Sequence, residues 1–282
     1  MIRRETFATA EPIRLDLTVP AGEVVVDAGE VSETTVELEP LGGAESAAAV
    51  EEARVDLRDD VLTVDVPERR GLRLLSRGFD VRLAVRCPND CDLRIRVASA
   101  DACASGRFAT ADVESASGDV TVGDVTGDTR VKAASGDIEV ASVGGSLTAE
   151  TASGDAEIER VDGKARIRSA SGDVSVGEAG ASISVVTASG DQRVGSVAAG
   201  EVSLRSASGD IWVGVRRGSG VWVDASSISG DTTSELDVGT SPAPATAEEE
   251  GPLVELRAQS MSGDIHVARA PAAASSGSEL ER

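Results

Sequence analysis

The sequence predicts an all-β protein whose second half, residues 97–269, is a parallel β-solenoid with coils of about 18 residues. Three observations carry that expectation. The triplet Ser-Gly-Asp returns at Ser117, Ser135, Ser153, Ser171 and Ser189, each 18 residues after the last. Apolar residues alternate with period two on either side of it. A glycine-centred bend, at Gly127, Gly145 and Gly163, separates the two apolar runs of each repeat.

The triplet continues at Ser208, Ser229 and Ser262 after steps of 19, 21 and 33 residues, and Ser99-Ala100-Asp101 is a degenerate copy 18 residues before the first. Within a coil, Val120, Val122 and Val125 precede the bend and Thr129, Val131 and Ala133 follow it, a pattern repeated at Ile138, Val140, Val143, Leu147, Ala149 and Thr151. Each run is a short strand with one face inward. Aspartate beside glycine suits the corner, because its side chain bonds nearby backbone amides. One coil cannot bury its own valines, so stability comes from stacking and the end coils need caps. About nine coils spaced roughly 4.8 Å apart make a rod of about 40 Å.

Composition agrees. With no Tyr, three Phe and two Trp, the core is built from Val, Ile, Leu and Ala, which suits narrow stacked layers. The 33-residue step contains Thr240 to Pro252, rich in Pro, Ala and Glu, and is read as a loop, residues 237–252, inserted in the bend of one coil. Residues 270–282 read as a disordered tail.

Residues 1–96 lack the triplet and are read as a β-rich region that continues into the solenoid and caps it. Strands are expected at Ile13 to Val19, Glu23 to Asp27, Thr34 to Glu39, Arg54 to Leu57, Leu62 to Val66 and Val81 to Arg86. Pro20-Ala-Gly22 and Arg58-Asp-Asp60 separate strands as turns. The Ala- and Glu-rich run Glu45 to Ala53 is expected to be helical, and Arg69 to Gly78 irregular.

The repeated Ala-Ser-Gly-Asp-Ile/Val strand, preceded by Phe79-Asp-Val-Arg-Leu-Ala-Val-Arg-Cys-Pro88, resembles the bacterial DUF4097 proteins, also called toastrack domains or candidate adhesins. The likeness covers most of residues 11–269. It implies a single-stranded, right-handed parallel β-solenoid and, through some relatives, a link to cell-envelope stress or surface adhesion. It carries no catalytic residue to any position here.

Charge bounds the partners. The 27 basic and 49 acidic residues give a net charge of -22, which repels phosphate backbones and anionic membranes and argues against nucleic acid as a partner. No apolar run follows Arg3 and Arg4, and no stretch reaches the ~20 apolar residues of a membrane helix, so a cytoplasmic location is expected, with the cell surface as the alternative. Cys87, Cys91 and Cys103 cannot all pair, and without a fourth Cys or a nearby His they make a poor zinc site.

Two sets of residues are candidates for binding. Asp119, Asp137, Asp155, Asp173, Asp191 and Asp210, continued by Asp231 and Asp264, place a carboxylate on every coil; such an array suits Ca²⁺, although turn capping accounts for it without a metal. Trp212 and Trp222 fall at outward offsets, on the two strands of one late coil, and are candidate partner contacts. His266 is the only histidine, which excludes a Ser-His-Asp site built on a second one and any multi-histidine metal site. The expectation is therefore a non-enzymatic, cofactor-free module presenting a flat acidic surface to a protein partner, adhesin-like and envelope-related. The alternatives are a self-assembling, bactofilin-like scaffold, hence a homo-oligomer, and a Ca²⁺-dependent or carbohydrate-binding adhesin.

Overall fold

The computed structural model describes residues 1–67, 79–236 and 252–271. The expected irregular stretch 69–78, most of the inserted loop and most of the tail lie outside the described residues. In chain order the first elements are β1 (Arg3–Ala8), β2 (Arg14–Gly29), β3 (Glu33–Pro40), α1 (Ala44–Glu52), β4 (Arg54–Arg58), β5 (Val61–Asp65), β6 (Val81–Pro88) and β7 (Cys91–Ser115). The repeat supplies β8 (Val120–Val125), β9 (Thr129–Ser135), β10 (Ile138–Val143), β11 (Leu147–Ser153), β12 (Ala156–Val161), β13 (Ala165–Ser171), β14 (Val174–Ala179), β15 (Ile183–Ser189), β16 (Gln192–Val197), β17 (Gly200–Ser208) and β18 (Ile211–Val215). The last are β19 (Gly220–Ser229), β20 (Thr232–Ser234), β21 (Leu253–Ser262) and β22 (Ile265–Arg269).

All join one sheet that winds as a parallel β-solenoid. Odd-numbered strands from β9 to β17 stack on one face, even-numbered strands from β8 to β18 on the other, each paired in parallel with its equivalent one coil away. Register follows the repeat, so Val122, Val140, Ile158, Val176 and Val194 form one buried column. A one-residue slip would turn such a column out to water, which fixes the pairing.

The corner explains the glycine. Gly154 has φ +127°, and a Cβ there would stand 2.2 Å from the carbonyl oxygen of Gly136, its equivalent in the preceding coil. Both the backbone conformation and the close approach exclude an L side chain. The same geometry recurs at Gly172, Gly190 and Gly209.

At both ends, order in space departs from order in sequence. β2 pairs with β5 and β6 on one side and with β7 on the other, so the coil of residues 14–29 lies between later segments of the chain. At the far end β17 and β18 pair with β21 and β22, which pair in turn with β19 and β20. The chain thus skips one level after Val215, forms the terminal coil, and then fills the gap with β21 and β22. The expected inward residues Val254, Leu256 and Ala258 are buried in that returned coil.

Two expectations are corrected by these pairings. Trp212 and Trp222 are not on one coil: the skipped level puts the filled-in coil between them, and they stand on opposite faces. Pro20-Ala-Gly22 does not end a strand, because β2 runs through it as a bend whose Gly22, at φ +116°, packs against Val81. The strand β1 had no signal in the sequence; it is held by antiparallel pairing with β3.

The amino-terminal end is closed by elements foreign to the repeat. β3 pairs antiparallel with β6, and β4 and β5 form a hairpin through Asp59 and Asp60, both at positive φ. Helix α1, with Ala49 and Val50 in the core, is tied down by Arg3, whose guanidinium donates to the carbonyl oxygens of Val50 and Ala53 at 3.2 and 2.6 Å.

Candidate functional site

The aspartate array is a hydrogen-bonded ladder along one edge of the rod. The backbone N–H of each aspartate donates to Oδ1 of its equivalent in the adjacent coil: Asp119 to Asp101 at 3.1 Å, Asp137 to Asp119 at 3.0 Å, then Asp155, Asp173, Asp191 and Asp210 each to the one before at 2.8 Å. The ladder records the interleaving, since Asp264 donates to Asp210 at 2.7 Å and Asp231 to Asp264 at 2.8 Å. One oxygen of each carboxylate from Asp101 to Asp210 and of Asp264 is thereby engaged in holding a corner. Among the described residues no group of three or more His, Cys, Asp or Glu is arranged to hold a metal ion.

The two tryptophans have different surroundings. Trp212 stands in a column between Arg193 and His266, with the Arg193 guanidinium 4.7 Å from its ring and the His266 ring stacked at 6.5 Å. Both ring faces are covered, so Trp212 offers an edge and not a platform. His266 Nδ1 is 2.9 Å from the Thr233 hydroxyl. Trp222 is half-exposed in the terminal coil, with Arg257 at 5.7 Å.

Cys87 and Cys91 are buried where β6 turns into β7, and Cys91 Sγ accepts the Ile13 N–H at 3.3 Å. A mutual hydrogen bond raises the Cys87 thiol and lowers that of Cys91, with burial adding to the rise at Cys87. Cys103 is apart from them and exposed.

The two flat faces carry opposite charge. On the even-numbered face, Glu139 and Glu157 are directly opposite one another, with Asp124 and Glu159 nearby, all exposed. On the odd-numbered face one outward column runs Arg130, Thr148, Arg166, Ser184 and Ser203, and the next Lys132, Glu150, Arg168, Val186 and Arg205. Glu150 is the one carboxylate on the outward positions of β9, β11, β13 and β15. Its bond to Lys132 at 3.0 Å, helped by Arg130 and Arg168, holds its carboxyl below the ordinary range. Arg130, Arg166, Arg168 and Arg205 have no carboxylate partner within ion-pair distance among the described residues. Beside them Ala152, Ala170, Ala188 and Ala207 are exposed and line a shallow apolar depression.

The family's sequence profile matches residues 13–268, from the interleaved β2 coil to the last coil. The chain belongs to the Toastrack family, DUF4097. Solved structures similar to this Toastrack chain include a candidate adhesin from Bacteroides fragilis at 12% identity and a TM-score of 0.49, covering 95% of this chain and 97% of that one. A candidate adhesin from Parabacteroides merdae is similar at 10% identity and a TM-score of 0.39, covering 94% and 95%. A candidate lipid-binding protein from Parabacteroides distasonis is similar at 8% identity and a TM-score of 0.35, covering 94% and 96%. No curated protein matches.

Sequence reasoning passed over the cationic face of this Toastrack chain because net charge was read for the whole molecule. The signal was there: Arg130, Arg166 and Arg168 share outward offsets of one strand, and Glu139, Glu157 and Glu159 share those of the other.

Proposed function

We propose that the protein is a non-enzymatic interaction module that holds an acidic segment of a partner protein on its odd-numbered face. The observation that carries this is the set of four guanidinium groups, Arg130, Arg166, Arg168 and Arg205, none of which has a carboxylate within ion-pair distance among the described residues, in a chain of net charge -22. So acidic a chain has carboxylates to spare for pairing, yet these arginines face outward on a flat, rigid sheet. Guanidinium matches carboxylate in a two-pronged geometry, so the face is complementary to Asp- and Glu-rich sequence. The rest of the surface repels such a partner and directs it to this face. The flat acidic surface expected from net charge is the opposite face, and the binding reading moves to the cationic one.

Binding of poly-glutamate by the full chain at graded salt tests the reading. The expected result is binding at low ionic strength that weakens with salt and is lost in the Arg166→Glu, Arg168→Glu double variant. Binding that survives the double variant, or none at any salt, sinks it. The carbohydrate-binding alternative has less support, since both ring faces of Trp212 are covered and the ladder carboxylates hold corners.

A further inference from the structure

Among the described residues, the carboxy-terminal end of the rod carries no helix and no antiparallel strands like those at the other. β19 and β20 form the last coil and, among the described residues, pair on one side only, with β21 and β22. The inward residues Val221, Val223 and Ala225 are half-buried, whereas their neighbours Val254, Leu256 and Ala258 in the next coil are fully buried. Outward, Trp222 is 50% exposed, Ile228 82% and Met261 60%. A free strand edge beside a half-exposed core and an apolar patch marks an interface that this coil does not complete by itself.

Three features select a second copy of the chain as the occupant. What lacks cover is a whole coil, two strands with the core between them, and another rod end has that cross-section; an extended peptide would satisfy one strand alone. β19 carries one charge in its 10 residues, Asp224, so two strongly acidic chains meet there with little repulsion. β19 is also self-complementary. In an antiparallel register centred on Ala225, Trp222 lies opposite Ile228 of the second copy and Asp224 opposite Ser226, so the exposed apolar residues meet and the two carboxylates do not face each other.

We propose that β19 pairs antiparallel with β19 of a second copy, joining two rods end to end at their terminal coils. The pairing is two-fold and uses the β19 edge of both copies, so no β19 edge is left for a third chain and assembly through this strand stops at a dimer. This interface is separate from the cationic face and does not rest on it.

Sedimentation velocity of the full chain over a range of concentrations tests the proposal. Expected are a dimer for the natural sequence and a dissociation constant raised roughly tenfold or more by Ile228→Lys, with an unchanged circular dichroism spectrum. In a Cys103→Ser background, Ala225→Cys is expected to cross-link under mild oxidation while Ser227→Cys is not. Only the former meets itself across the two-fold, at the roughly 4.5–5.5 Å Cβ separation of directly opposed residues. A monomer at every concentration, a dimer indifferent to Ile228→Lys, or species that keep growing would each overturn the proposal. So would a monomer that dimerises only when residues 272–282 are removed, since the edge would then belong to the chain's own segment.

Discussion

The two ends of the rod are built by one device and finished differently. At each, the chain goes one level too far and another segment fills the space left behind: β2 between β5–β6 and β7, and β21–β22 between β17–β18 and β19–β20. Interleaving ties residues distant in sequence into adjacent levels, so neither end can fray one coil at a time. Among the described residues, only the amino-terminal end then adds a helix and antiparallel strands to its outermost layer. Interleaving therefore secures an end, and a change of element type is what closes it.

The largest expected effect contrasts the inside of one interleaved end with the outside of the other. Leu15 is fully buried between Leu62 and Leu93, and Leu15→Ala is expected to lower the free energy of unfolding by about 2–5 kcal/mol. Val223 in the terminal coil is only partly buried, and Val223→Ala is expected to cost less than about 1 kcal/mol at a dilution where the chain is monomeric. Urea titrations of the two variants decide it. Comparable losses would mean that the carboxy-terminal end is as well covered as the other.

Between the ends, the corner chemistry gives intermediate effects. Gly154→Ala forces a Cβ against the Gly136 carbonyl at positive φ, with an expected loss of about 1–3 kcal/mol. Asp155→Ala removes the acceptor for the Asp173 N–H and is expected to cost about 1 kcal/mol. Asp231 ends the ladder, and no N–H of a further coil reaches its carboxylate among the described residues. Asp231→Ala is therefore expected to leave the melting temperature almost unchanged. A loss at Asp231 equal to that at Asp155 would show that the carboxylates act through general charge and not through the rung.

How much of this was legible in the sequence follows from what a repeat encodes. An 18-residue period fixes which offsets point inward, so Val122, Val140 and Ile158 were placed correctly without coordinates. The period does not encode level. Every coil presents the same inward offsets and the same Ser-Gly-Asp corner, so Val254 to Ala258 stack as well on β17 as β19 would, and nothing local in the sequence distinguishes the two orders. The 33-residue step reads as a loop in the bend of one coil, whereas the strands on either side of it, β20 and β21, lie on different levels. Site chemistry was legible in residue type, since aspartate was expected to accept a backbone amide at the corner, but the amide it accepts belongs to the adjacent coil and not to its own turn. It was hidden where partners come from other coils, as for Trp212, whose ring is covered by Arg193 and His266.

The smallest expected effect lies at the closed end, where the turn from β6 to β7 is held from outside. Asp90, at φ +64°, accepts two bonds from the Arg107 guanidinium, each 2.8 Å, and this pairing holds its carboxyl below the ordinary range. A carboxyl lowered on folding contributes stability that is fully present above its unfolded pKa and is lost as pH falls through the folded value. The pair is exposed, so solvent and salt screen it and the change in stability is small. The titration itself is the sensitive measurement: the Asp90 carboxyl resonance is expected to titrate below an ordinary aspartate and to return to the ordinary midpoint in Arg107→Ala. A midpoint unmoved by that substitution would assign the shift to the turn backbone and not to the Arg107 pair.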